Sequence, residues 1–552
     1  MRLIAATILS TIITNAVFSE ILRVPDVFTT IQAAADSSAP GDTILLSPIQ
    51  YEESVTAPAW DITIAGAYLL TGDTTLIAQT RLLPDQSGLL RPIIGNGSDS
   101  LPLLRVVGIF FDGRQFHNYG VFASRRSLKL EHCILDSCSD INSVIYAQDS
   151  EVLVKASRLF RCAGTIGGVL GQFFECITYI DSCSFTNSYA RGPVSEEFVI
   201  RNGTFEMRDC TLRHLGHDRP EFPSFTNIFF TSDSVSSVRV VGNVFEDCLI
   251  NELVREPRDS LAVVVFDSNT VRNCGIFGHV VTNANMSPNS RIMMRDNIFV
   301  DNTDVPGVSG GQGFFVIAPD PPNEVIITGN LCLRNFNRDN SCGCMSGTSE
   351  NRSISRNWFI ENSNEAFVRP PGGAVMVFDN SRGQLEYNLF RNNVGYAVNH
   401  FQFTPLGYAR NNYWNHESGP YHPSLNPFGQ GDSVDTLVVF EPWEIDTSFL
   451  QDAVSLPQPS VPTGFLIGRV YPNPFNSEIE IEYVITGTHD VKLSICDLLG
   501  REVSVLVNEQ QPIGIHRARW QPENRSSGLY FARLHTLGSP QKPSIKKLVY
   551  LK

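Results

Sequence analysis

A six-residue pattern (small polar, any, large apolar, any, any, small polar) returns along most of this 552-residue chain. It starts at Cys133, Ser157, Cys183, Cys210, Asn243, Asn269, Asn297, Asn330, Asn357, Asn388 and Asn412, at steps of 24 to 33 residues. Its apolar member runs from Leu135, Leu159 and Phe185 through Phe299 and Phe359 to Trp414. A weaker match at Gly108, with Phe110, adds a coil in front. A repeat of this length is one supersecondary unit that cannot bury its apolar face alone, so the units must stack into a solenoid.

Aligned coil by coil, the residues before each start fall into columns. Three places upstream stand Leu130, Val154, Ile180, Met207, Val240, Phe266, Met294, Ile327, Ile354, Leu385 and Ala409, all apolar. Period-two alternation turns that column inward on a strand and the next column outward. The outward column pairs opposite signs between neighbours: Glu131 with Lys155, Lys155 with Asp181, Asp181 with Arg208, Asp267 with Arg295, Glu386 with Arg410. Parallel stacking at about 4.8 Å favours such alternation, and the strip reads as a solvated ladder of weak ion pairs. At the start column the chain must bend. Asparagine is expected there in the left-handed conformation, with its amides stacked from coil to coil.

These residues resemble the right-handed parallel β-helix proteins of the pectin-lyase-like group over roughly residues 24 to 443. The opening Phe28-Thr29-Thr30-Ile31-Gln32-Ala33-Ala34-Ala35, followed by Ala39-Pro40-Gly41-Asp42-Thr43-Ile44-Leu45-Leu46, looks like that family's capping helix, turn and first strand. The run Asn411-Asn412-Tyr413-Trp414 with Ser418-Gly419-Pro420, Asn426-Pro427, Gly431-Asp432 and Pro442-Trp443 is similar to the closing segment of many β-helix repeat surface proteins. The expected fold is all-β: a right-handed parallel β-helix solenoid followed by a small antiparallel β-sandwich.

Residues 1–19 carry one basic residue, an apolar run from Leu3 to Ile13 and small residues at Val17 and Ser19, the pattern of a secretory signal peptide. The solenoid is expected over 20–445, with short strands at Thr43 to Leu46, Ile62 to Ile64 and Thr75 to Ala78 and a helix in Thr30 to Ser38 that caps the first coil. No later segment is long and apolar enough to span a membrane. Long steps place extra loops after Cys210, Asn297 and Asn357. The first holds His214, His217, Asp218, Arg219 and Glu221; the second holds Asp301, Asp304, Gly310, Gly311 and Gly313. Function tends to sit on such loops, yet neither completes a catalytic signature.

A linker rich in Pro and Ser spans 446–465. Beyond it, alternating strands such as Ile479 to Ile485, Val491 to Asp497 and Gly528 to Leu534 predict the sandwich over 466–552. This tail resembles the type A C-terminal sorting domain of the type IX secretion system. The resemblance rests on Val470-Tyr471-Pro472-Asn473-Pro474-Phe475-Asn476, on Val491 to Val503 with Asp497-Leu498-Leu499-Gly500-Arg501, on Ser527-Gly528-Leu529-Tyr530-Phe531 and on the basic end Lys546-Lys547-Leu548-Val549-Tyr550-Leu551-Lys552. It implies the type IX machinery as a partner of residues 466–552 and a destination outside, or attached to, the outer surface of a Gram-negative cell.

The formal charge is −15 overall and +3 from Val461 onward, which leaves −18 on residues 1–460. That acidic body disfavours nucleic acid and anionic membranes, and also tight binding of polyanionic polysaccharides unless a local basic cleft exists. Most of the 12 cysteines fall in ladder columns, where they behave as small buried hydrophobes rather than disulfides. Cys332, Cys342 and Cys344 lack the paired spacing of a structural zinc site, so no metal or other cofactor is expected. Two functions compete. One is non-catalytic binding of a polysaccharide or cell-surface glycan. The other is a lyase or glycosidase on the β-helix face, with Ca2+ entering only if it is a lyase. Among candidate acids, Asp209 and Asp296 are coils apart and Asp267 belongs to the ion-pair ladder, while Glu52 and Glu53 receive no catalytic role. The binding reading is favoured, and the sequence designates no catalytic residue. Truncation before Phe465 is expected to leave the chain in the periplasm; cell fractionation that finds the truncated chain delivered normally to the surface would overturn the sorting assignment.

Overall fold

The computed structural model describes residues 19–84, 93–96, 101–113, 120–140, 143–164, 167–190, 195–215, 226–232, 237–255, 263–281, 291–303, 315–317, 324–337, 345–347, 352–364, 376–378, 384–400, 407–450, 465–485, 489–511, 514–522, 525–536 and 543–551. Three long parallel sheets wrap one core. The first has 14 strands, from Ile21–Val24 to Gln384–Glu386; the second has 15, and the third has 13, from Gln50–Glu52 to Leu389–Arg391. Each coil passes through the first, third and second sheet in turn, as in Ser127–Glu131, Ile134–Asp136 and Ile145–Gln148. The register is that of the repeat. Leu130 pairs with Val154, then Ile180, Met207, Val240, Phe266, Met294 and Ile327.

The helix Ile31–Asp36 covers the first coil, with Thr30 accepting from the Ala33 amide and Ile31, Ala34 and Ala35 buried in the common core. Thr75 to Ala78 does not form the expected strand. Thr74–Leu76 is a 3-10 turn, because the Asp73 carboxylate accepts from the Thr75 amide and caps it.

The left-handed corner also differs from expectation. Positive φ falls one residue before the repeat start, at His132, Ala156, Ser182, Asp209, Gly242, Ser268, Asp296, Gly329, Arg356, Tyr387 and Asn411. The bent residue's amide donates to the carbonyl one coil on, as from Ser268 to Arg295 at 2.8 Å, so inter-coil pairing holds the costly conformation in place. The bend then turns the next side chain inward. There Asn243, Asn269, Asn297, Asn330, Asn357, Asn388 and Asn412 form a continuous amide ladder. A second ladder links Asn302, Asn335, Asn362 and Asn393 and ends on the Asp432 carboxylate. All these asparagines except Asn393 are fully buried.

In the earlier coils small side chains take over: the Cys183 amide donates to the Cys210 sulfur and the Cys210 amide to Asn243 Oδ1 at 2.9 Å. The ten described cysteines are buried free thiols. Cys342 and Cys344 lie outside the described residues, while Cys332 is inside the core with Phe299 and Phe359. Aromatic rings stack up the last coils, Phe359 on Phe390 at 5.1 Å and Phe390 on Trp414 at 4.7 Å.

The C-terminal domain is an antiparallel sandwich. Phe465–Tyr471, Ile479–Ile485 and Gly514–Trp520 form one sheet, and Glu502–Gln511, His489–Cys496, Gly528–Thr536 and Ser544–Tyr550 the other. Its own core holds Phe475, Ile481, Leu493, Trp520, Tyr530 and Tyr550.

One buried acid breaks the pattern. Glu197 stands where the strand Gly167–Phe174 slips register against Ser195–Arg201, and among the described residues neither carboxylate oxygen has a partner. Burial, with Cys248 nearby, holds its pKa well above the usual carboxylate range, so the folded chain keeps the acid neutral. The unfolded chain loses that proton first, at about pH 4.3. Stability from this group is therefore complete at lower pH and falls as pH rises toward the folded-state value, by about 1.4 kcal/mol per unit. Glu197→Leu should gain in melting temperature over the native chain as pH goes from 4 to 8; a constant difference between the two melts would count against a buried neutral acid. Asn330→Leu leaves the Asn297 donors unmet and should cost about 2–4 kcal/mol, read as faster amide exchange in the adjoining coils. Unchanged exchange there would show that the ladder contributes little.

Candidate functional site

The coil geometry brings together residues that no sequence motif connects. At the corner from the second sheet into the first, Arg125, Asp149, Glu175 and Asn202 all take positive φ. They stand 24, 26 and 27 residues apart, the steps that separate Cys133, Ser157, Cys183 and Cys210. The Asp149 amide donates to the Phe174 carbonyl at 2.9 Å and the Glu175 amide to the Arg201 carbonyl at 2.7 Å, which fixes the corners one above another.

Stacked at this corner, the Glu175 carboxyl neighbours that of Asp149 on one side and the Asn202 side chain on the other. The Asp149 contact raises the Glu175 pKa, because two carboxylates in contact resist ionising together, and Asn202 works in the opposite direction. Glu175 is exposed and Asp149 half-buried. Gln148 Nε2 reaches Asp149 at 3.4 Å.

Beside this ridge, on the outward face of the second sheet, Phe122 stacks on Tyr146 at 5.2 Å, Tyr146 meets Phe174 at 5.5 Å, and the Arg201 guanidinium lies 5.2 Å over Phe174. Phe122 and Tyr146 are nearly parallel, at 5°. Their faces are turned toward each other along the solenoid axis, leaving edges for a ligand. The ridge therefore offers hydrogen-bond acceptors and amides, backed by ring edges, rather than flat stacking platforms.

The residues singled out from sequence are dispersed. His214 is a corner residue 3.9 Å from Asp247, and Asp301 holds Arg334 at 2.8 Å. Asp209 and Asp296 occupy one corner column with Gly242 and Ser268 between them. Asp267 pairs with Arg295, and Lys155 with Asp181 at 3.6 Å, as the ladder requires. Three other expected pairings differ in detail. Glu131 pairs with Arg105 of the preceding coil instead of Lys155. Arg208 turns to Glu206 on its own strand, and Arg410 lies over Tyr408. Glu53 is structural: its carboxylate accepts from the Ile31 and Gln32 amides at 2.9 and 3.2 Å and caps the first helix. His217, Asp218, Arg219, Glu221, Asp304, Gly310, Gly311 and Gly313 lie outside the described residues.

Asp149, Glu175 and Asn202 escaped the sequence reading because they belong to a third column, set before Ser150, Cys176 and Gly203, which have little in common. Applying the coil spacing to that column would have found them. Among the described residues no three His, Cys, Asp or Glu side chains converge as metal ligands, and no helix is long and apolar enough to cross a membrane.

Residues 469–550 match the secretion system C-terminal sorting domain family. The tail is thus a type IX sorting domain, and the chain a secreted or cell-surface protein carrying a parallel β-helix. No curated protein matches the chain. Among solved structures, the chain is similar to the tailspike of Pseudomonas phage phi297, at 12% identity and a TM-score of 0.30 over 94% of this chain and 91% of that one. It is also similar to an alginate lyase of the PL6 family, at 9% identity and 0.18 over 71% and 73%. A third is the tailspike of Escherichia coli bacteriophage HK620, in complex with a pentasaccharide, at 8% identity and 0.20 over 90% and 86%. At these scores none of them bears on what this chain does.

Proposed function

We propose that this secreted β-helix protein is a non-catalytic glycan binder whose ligand lies along the ridge of Asp149, Glu175 and Asn202. On this reading residues 1–19 direct export, the sorting domain takes the chain across the outer membrane of a Gram-negative cell, and the solenoid presents the ridge outside. The observation that carries the proposal is the pairing of an exposed carboxyl, Glu175, with the half-buried Asp149 one coil before it, an arrangement that gains most from a partner rich in donors. Sugar hydroxyls or amino groups answer that need, whereas a uronate would add a third negative charge to a body already at −18. The preferred ligand is therefore a neutral or amino-sugar polysaccharide.

The shape of the site argues against cleavage. The carboxyl groups of a glycosidase flank the scissile bond from opposite sides, about 5–9.5 Å apart, with the sugar and the attacking water between them. Here both acids stand side by side in one corner column. One observation favours the second reading, a glycosidase or lyase: the raised Glu175 pKa, which would suit a general acid.

Incubation of the purified chain with a polysaccharide array, with and without calcium, separates the readings. Retention on neutral or amino-sugar glycans without new reducing or unsaturated ends is expected, and Asp149→Asn with Glu175→Gln should weaken it about tenfold. New chain ends, lost in the same double variant, would establish an enzyme. Retention only on polyuronates would refute the ligand class.

A further inference from the structure

The outward face of the third sheet changes character along the solenoid. In the middle coils one outward row reads Arg158, Ser184 and Thr211; in the later coils the same row reads Ile298, Leu331 and Trp358. The neighbouring row changes from Arg213, Glu246 and Arg272 to Val300, Leu333 and Ile360. These six apolar residues are at most 6% exposed, although they point away from the main core, and they form a separate cluster with Leu450. An outward apolar face buried to this degree requires a cover. The turn Ser448–Leu450 begins it.

The sorting domain adjoins that patch. Arg334, with 8% of its side chain exposed, is held by Asp301 on the solenoid and by Glu482 on the sandwich, whose own side chain is 10% exposed. Arg517 joins Glu482 at 3.2 Å. Lys546, on the last strand of the sandwich, lines the same junction as Asp301, where burial and Arg272 lower its pKa against the opposing pull of Glu246, Asp301 and Asp247 of the solenoid. A cavity of about 840 Å3 lies between the two domains, lined by Asn273, Asp301, Tyr471, Glu482, Arg517 and Lys546 among others. Burying Arg334 and Glu482 costs several kcal/mol per ion unless each meets its partner, so the triad defines one seating of the domains.

We propose that the outward face of the third sheet over residues 298–360 is a built docking surface for the chain's own sorting domain, which is carried locked on the solenoid rather than loosely tethered. The opposite charges of the tail and the body, +3 and −18, favour the same seating.

Zero-length carbodiimide coupling of the intact chain, mapped by peptide mass spectrometry, tests the seating. Lys546 should join Asp301, Glu246 or Asp247, with the Lys492–Glu502 pair, 2.9 Å apart inside the sandwich, as internal reference. Glu482→Arg, which sets like charges against Arg334 and Arg517, should lower the Lys546 product about tenfold relative to that reference and raise the radius of gyration in solution scattering. Leu333→Arg, on the solenoid side, should do the same. The reference product without the Lys546 product, scattering from the native chain that fits two independently moving bodies, or no response to either variant would each overturn the docking.

Discussion

Each ladder asparagine commits its polar atoms to its neighbours. Asn330 Oδ1 accepts from both the amide and the side chain of Asn297, at 3.0 and 2.8 Å, while its own Nδ2 donates to Asn357 Oδ1 and to the carbonyls of Met294 and Thr328. The corner leaves backbone groups in a dry interior, where an unmet donor is expensive, and one amide per coil meets them. The rest of the solenoid follows from this. Coils kept in register at the corner place Leu130, Val154 and Ile180 over one another in the core, and they place Asp149 against Glu175 outside it.

Parallel register also explains why chemistry here arises between coils. Asp149 and Glu175 are 26 residues apart, and only the stacking of two corners makes them one electrostatic unit. The same stacking sets Phe122 on Tyr146, and it sets Asp267 against Arg295. Neighbouring side chains are forced into contact whatever their charge. Opposite charges make inexpensive ladders, and a like pair is a local excess that asks for a proton, a cation or a hydroxyl-rich ligand.

Much of this was legible because a solenoid writes its third dimension into a period. The inward column, the amide stack at Asn243 to Asn412, the buried cysteines and the tail sandwich all follow from spacing and residue type. The left-handed bend was displaced by one residue, since the positions that bear it, such as His132, Ala156 and Tyr387, share no chemical type. The strand expected near Thr75 yielded to a local cap from Asp73, which a propensity for β-branched residues does not register. The ridge acids were missed for lack of alignment in their column, and the apolar outer rows at Leu331 and Leu333 went unread as a surface because leucine on a strand reads as core.

The second asparagine ladder has a direction. From Asn302 to Asn362 each side-chain amide gives one N–H to the next asparagine on the C-terminal side and turns the other back to a carbonyl of the preceding coil, so the amide-to-amide bonds all run one way. The donor end of that line is met by a full negative charge: Asp432 takes the Asn393 amide and side chain at 3.0 and 2.7 Å and the Asn392 amide at 2.9 Å. A carboxylate has no donor to offer a further coil. The closing segment thus sets the length of the solenoid electrostatically: growth past Asp432 would require another asparagine in its place, and an end short of it would leave donors pointing into nothing.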